Sequence, residues 1–99
     1  MNHWITNERG EPQRTDDPIA WARWYATADR VIAKTSTTNG DVSTVFLGLD
    51  HQWGDGLPLL YETMIFGGPE DGYQDRHTTR DEAVAGHAVA VAMLTKDAP

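Results

Sequence analysis

The sequence predicts a small α+β fold: an antiparallel sheet of three to four strands laid out as a meander, with two helices, in the order β-α-β-β-β-α. Three observations carry this reading. Asp16 and Asp17 stand before Pro18 and a run of spaced aromatic residues. The segment VIAKTSTTNGDVSTVFLGLD sets an Asn-Gly pair between two β-prone runs, and Thr79 and Glu82 open the alanine- and valine-rich segment EAVAGHAVAVAMLTK. Helical patterns on either side of a block of strands point to helices laid on one antiparallel sheet.

The elements follow in order. Residues 2–6, NHWIT, predict a short strand whose apolar content is Trp4 and Ile5, and NERGEP after it reads as a turn. A helix is expected from Asp16, because acidic side chains accept from the unpartnered first N–H groups and proline costs nothing in the first turn. It runs to about Asp29. Trp21, Trp24, Tyr25 and Ala28 fall on one side at helical spacing, with Arg23, Thr27 and Arg30 elsewhere, so that side wants a sheet to cover. Asn39-Gly40 predicts a hairpin, since both residues tolerate positive φ. The run Leu59–Phe66 pairs with the strand before it across the loop DHQWGDGLP, and GGPEDGYQD reads as an exposed connection. A second helix opens at the Thr79/Glu82 capping box and reaches about Thr95. Its apolar side carries Ala83, His87, Ala90, Val91 and Leu94 with Val84 alongside, and Gly86 costs up to about 1 kcal/mol unless it lets the sheet approach closely.

Along Leu59–Phe66, Leu60, Met64 and Phe66 alternate with Leu59, Tyr61 and Ile65, so both strand faces are apolar. Two such faces in a short chain require helices on opposite sides of the sheet or a second copy over one face, and a homodimer is expected.

Composition narrows the function classes. Ninety-nine residues suit a single domain spanning 1–99, with a small core to which four Trp, three Tyr and two Phe contribute. The absence of cysteine removes disulfides and thiolate metal sites and fits a reducing compartment, so the bacterial cytoplasm is expected. Eight basic against fifteen acidic residues give a net charge of −7, which opposes binding to phosphate backbones; no nucleic acid partner is expected. No apolar run approaches the roughly 20 residues that span a bilayer, and MNHWITNERG shows no secretion signal, so no membrane partner is expected.

The chemistry-bearing residues gather between Val42 and Pro69 and just beyond. Glu62 lies in a strand whose neighbours are apolar or threonine, where a carboxylate needs a partner: Arg76, Arg80, His87 or an outside ligand. Asp50, His51 and Asp55 share a glycine-flanked loop with Trp53, which is placed to stack on a planar ligand. The ligand-binding set put forward is Glu62, Arg80, Trp53, His51, His87 and Arg76. Asp50 and Asp55 also serve as turn caps, and a histidine on an apolar helix face also serves as a core residue. The acids and histidines match no standard local metal spacing, and no G-x-S-x-G, cysteine nucleophile or P-loop is present. No catalytic residue, metal or cofactor is assigned, and the balance leans away from an enzyme.

The run STVFLGLDH, the block G-DG-PLLYETMIFGG, the D-Q-RH-T segment and the helix opening TRDEAVAGH together resemble an uncharacterised family of short actinobacterial phage and prophage proteins. The resemblance covers roughly Val42 to His87 and implies a host-takeover or anti-defence setting. With it, the expected function is that of a non-enzymatic phage-type accessory protein in the bacterial cytoplasm, holding a partner or a nucleotide-like small molecule that the phage would sequester. An acidic inhibitor of a host protein and a small metal-dependent hydrolase using His51 and Glu62 are the alternatives.

Overall fold

The computed structural model describes residues 2–52 and 56–95. Along them run β1 (His3–Thr6), β2 (Pro12–Thr15), α1 (Pro18–Thr27), β3 (Val31–Thr37), β4 (Gly40–Phe46), β5 (Tyr61–Phe66), β6 (Gln74–His77) and α2 (Arg80–Thr95). The strands form a two-stranded sheet, β1-β2, and a four-stranded antiparallel meander, β3-β4-β5-β6. The α+β class with two helices is as the sequence predicts, but β2 and β6 are additions. Both are polar: PQRT and QDRH carry no apolar alternation, and each exists because a neighbouring strand offers it a ladder. The β1–β2 turn is organised by Asn7, whose side-chain oxygen accepts from the N–H groups of Arg9 and Glu11 at 2.9 and 3.0 Å.

α1 begins where its cap requires. The Asp17 carboxylate accepts from the N–H groups of Ile19 and Ala20 at 3.0 and 3.1 Å, with Pro18 in the first turn. The helix closes at Thr27, two residues before Asp29, because Ala28 is already extended. It packs on β1, and the Trp21 indole N–H donates to the carbonyls of Trp4 and Gly48 at 3.1 and 2.9 Å, tying the helix to β1 and to the chain leaving β4. Trp24 meets Phe46 edge-on at 5.8 Å, and Phe46 meets Tyr61 at 5.2 Å, so the aromatic row continues into the main core.

The β3–β4 hairpin turns one residue earlier than Asn39-Gly40 suggests: Thr38 and Asn39 are the loop, and Thr37 pairs with Gly40. Gly40 is required by proximity as well as conformation. Its φ is +141°, and a Cβ there would stand 2.7 Å from the Gly67 carbonyl oxygen at the far end of β5.

α2 lies across all four strands of the meander and buries Ala83, His87, Ala90 and Leu94, the 4-3-4 spacing of one helix side. Val91 is only half-buried and Val84 is 47% exposed, so the covered stripe is narrower than the sequence suggests. The capping box is complete: Glu82 N–H donates to Thr79 Oγ1 at 3.1 Å, and Thr79 N–H to Glu82 Oε1 at 2.9 Å. These bonds, that of the Thr79 backbone first, hold the Glu82 carboxyl below its ordinary range. Under α2 the core has two apolar groups. Val42, Ile65, Ala90 and Leu94 form one, and Phe46, Leu60, Tyr61 and Ala83 the other, with Trp4, Trp24 and Ile32 against the second.

Strand β5 separates the two faces. Tyr61, Thr63 and Ile65 are fully buried towards α2, while Glu62 and Met64 on the other face are half-buried and Phe66 is exposed. The two helices do not take opposite sides of the meander: α2 covers one face, and α1 packs on β1.

Candidate functional site

Glu62 finds its partner across the strand pair. The register sets it directly opposite Arg76, whose Nε donates to Glu62 Oε2 at 3.0 Å, and Gln74 donates to the same oxygen. With the carboxylate side chain 13% exposed and the guanidinium side chain 36%, this is a half-sheltered, charge-assisted pair on the sheet face away from α2.

The other members of the predicted set do not join it. His87 sits on the inward side of α2, with the sheet between it and Glu62, so the acid/base pair that the sequence allows between them does not form. Arg80 is exposed in the first turn of α2 and makes no ion pair among the described residues. His51 is half-buried, and its backbone N–H donates to the Leu59 carbonyl at 3.3 Å. Asp50 acts as a turn cap, accepting from the N–H groups of Gln52 and Leu59 at 2.8 and 3.0 Å. Trp53 and Asp55 lie outside the described residues. Among the described residues no group of three or more acids and histidines could hold a metal ion. A groove of about 290 Å³ at the C-terminal end of α2, between Asn39, Pro69, Glu70, Met93 and Leu94, is lined by none of the six predicted residues.

The densest polar constellation lies in the core instead. His87 Nε2 is 2.9 Å from Thr35 Oγ1 on β3, and His87 Nδ1 is 2.8 Å from Thr44 Oγ1 on β4. Thr44 Oγ1 meets Thr63 Oγ1 on β5 at 2.7 Å, and Thr63 Oγ1 meets His77 Nε2 on β6 at 3.2 Å. This belt joins α2 to every strand of the meander and passes between the two apolar groups. Thr44 and Thr63 are fully buried, and His87 and His77 are 7% and 9% exposed. Burial lowers the pKa of His87, so the ring is neutral at neutral pH, with one nitrogen donating and the other accepting. Gly86 makes the geometry possible: a Cβ there would stand 2.3 Å from His77 Cε1 and 2.6 Å from its Nε2. The unusual glycine in the predicted helix is thus where the His77 ring lies against the helix backbone.

The three threonines escape the sequence reading because threonine suits either face of a strand. The one available signal is parity. Thr44 lies between Val42 and Phe46, and Thr63 between Tyr61 and Ile65, so each occupies an inward position between large apolar residues. Near them the Tyr61 hydroxyl is buried without a hydrogen-bond partner among the described residues, and desolvation raises its pKa against the opposing pull of Arg80.

The outer side of α2 is the converse case. From Ala83 to Leu94 the helix carries no charged residue, and its solvent side shows Val84 and Val89, 47% and 58% exposed, with Ala85, Ala88 and Ala92. No helix among the described residues is long and apolar enough to cross a membrane. No family model, curated protein or solved structure matches the chain.

Proposed function

We propose that this chain is a non-enzymatic binding protein of the phage accessory type, and that the outer side of α2 is its protein-binding surface, occupied first by a second copy of itself. The observation that supports this is a helix without a charged residue from Ala83 to Leu94 and apolar on its outer side, yet covered on only its inner one; helices of that kind are ordinarily buried all round. The polar candidates argue less for chemistry. Both ring nitrogens of His87 are engaged by threonines, and Glu62 is engaged by Arg76 and Gln74.

A two-fold antiparallel pairing about Ala88 fits the surface. Small residues at the crossing let two helices approach to about 8–10 Å, and Val84 and Val89 close over the partner's alanines. It also brings exposed Arg80, at one end of α2, towards the partner's exposed Glu70, which lies by Met93 and Leu94 at the other end. Neither has an ion pair within its own chain among the described residues. One helix-to-helix patch falls below the roughly 1,200 Å² of a standard stable interface, so the dimer is weak, in the range of tens of micromolar. With a net charge of −7 on each copy, added salt strengthens it by screening the repulsion.

Sedimentation equilibrium from about 1 µM to about 1 mM tests this. The average mass should climb from 11.0 kDa towards twice that value, and Ala88→Arg should hold it at the monomer without loss of thermal stability. A wild-type protein that stays monomeric throughout removes the self-association. A thermal shift with one member of a nucleotide panel would replace this reading with small-molecule sequestration.

A further inference from the structure

We propose that Thr44 and Thr63 form a proton-ordering relay coupling His77, at the edge of the sheet, to His87 in its core, so that the two neutral rings always hold the same tautomer and cannot both be imidazolium while the relay is closed.

Three hydrogen bonds, of 2.8, 2.7 and 3.2 Å, run from His87 Nδ1 through the two hydroxyls to His77 Nε2. Each hydroxyl brings one proton, and three bonds need three. The third must come from one of the two imidazole nitrogens and only one. If His87 donates from Nδ1, Thr44 donates to Thr63 and Thr63 to His77 Nε2, which leaves His77 with its proton on Nδ1. If His77 donates from Nε2, Thr63 donates to Thr44 and Thr44 to His87 Nδ1, which leaves His87 with its proton on Nε2. The Thr35 hydroxyl at 2.9 Å serves either order, since it can donate to Nε2 or accept from it. Opposite tautomers leave a bond without a proton or a proton without an acceptor, at hydroxyls that are fully buried.

Charged groups flank one end of the relay. His77 faces Asp75 on its own strand, with Nε2 and Oδ2 4.0 Å apart, Tyr61 across the ladder on β5, and Glu82 on α2, whose carboxyl its charge helps to hold low. Arg80, also on α2, acts on Tyr61. His87 faces hydroxyls on β3 and β4 and reaches the carboxylates only through the relay, and burial opposes its charge. By the same count of protons, an imidazolium at His77 would fix His87 as the Nε2–H tautomer. A second proton, on His87, opens the relay between Thr44 and Thr63 and loosens α2 from the middle of the sheet. The fold thus holds an acid-sensitive latch, whatever the outer side of α2 binds.

Long-range ¹H–¹⁵N spectra of the imidazoles read each ring's tautomer directly. Wherever both rings of the wild-type protein are neutral they should be both Nε2–H or both Nδ1–H, and wherever one is imidazolium in the native fold the other should be neutral, with its proton on the nitrogen that faces away from the relay. Thr63→Val should uncouple the rings and raise the His87 midpoint by about one pH unit, and Thr63→Ser should restore the coupling. Opposite tautomers in the neutral wild-type protein, two imidazolium rings in a native spectrum, or a His87 midpoint unmoved in Thr63→Val would each overturn the relay. If Thr63→Val does not fold, the wild-type spectra decide alone.

Discussion

Gly86→Ala sets helix propensity against packing, and the two give opposite signs. Replacing glycine by alanine in a helix interior ordinarily stabilises by about 1 kcal/mol. Here the new Cβ would fall 2.3 Å from His77 Cε1, well inside contact distance. The ring cannot swing aside as a surface side chain would: it is 9% exposed and hydrogen-bonded to Thr63 at 3.2 Å. Overpacking of this kind costs about 1–3 kcal/mol, and losing the Thr63–His77 bond about 1 more, so after the propensity gain the net loss is about 1–3 kcal/mol. For a domain of this size that lowers Tm by roughly 5–20 °C. Urea and thermal denaturation followed by circular dichroism measure it, with exposed Ala85→Gly as the propensity-only reference, expected to cost about 1 kcal/mol. In a His77→Ala background the same Gly86→Ala change should turn stabilising. Were Gly86→Ala as stable as the wild type, the close approach of His77 to α2, and the belt built on it, would be refuted.

Other outcomes follow from single contacts. Arg76→Ala leaves the sheltered Glu62 carboxylate without its cation and should cost about 1–2 kcal/mol by urea titration, whereas Arg9→Ala, which breaks the exposed pair with Glu11, should cost under about 0.5 kcal/mol; equal losses would contradict the burial of the first pair. Tyr61→Phe removes a buried hydroxyl that has no partner among the described residues, so Tm should hold or rise, and a loss above about 1 kcal/mol would reveal an unseen bond. Because the folded-state pKa of His87 is depressed, the unfolded chain binds its proton more readily. The stability from keeping the ring neutral is therefore complete above the ordinary value of 6.5 and is lost as pH falls through the depressed one. Thermal melts between pH 7 and 5 should show this decline, at no more than about 1.4 kcal/mol per pH unit from this group, and Thr79→Ala should cost about 1 kcal/mol at the helix cap by the same melts.

What the sequence discloses is mostly what is decided locally. Asp17 before Pro18 and Thr79 before Glu82 place both helix starts, because each cap closes within three residues along the chain. Strands β2 and β6 are decided by their partners. In QDRH only His77 is buried, so no alternation betrays the strand, and its pairing with Tyr61 through Met64 is visible only in the fold. The same limit governs Glu62. The need for a partner was legible in its apolar surroundings, but choosing Arg76 over Arg80 or His87 required knowing which face each side chain takes. His87 was legible as a polar residue on a buried stripe. Its partners were not, because they arrive from β3 and β4, whose threonines look like those of any exposed strand.

The belt of threonines and imidazoles also bears on how α2 finds its position along the sheet. Ala83 and Ala90, the small residues above and below His87, are alike in shape, and a helix lined with such residues meets little steric objection to sliding. One turn of slippage, about 5.4 Å, would set an alanine where His87 had been. It would also strand an imidazole against Phe46 or Val42 and leave the buried Thr44 hydroxyl and the half-buried Thr35 hydroxyl facing methyl groups. His87 thus acts as an address on an otherwise repetitive helix, and replacing the belt with aliphatic residues should give a protein that still compacts but no longer holds α2 at one station.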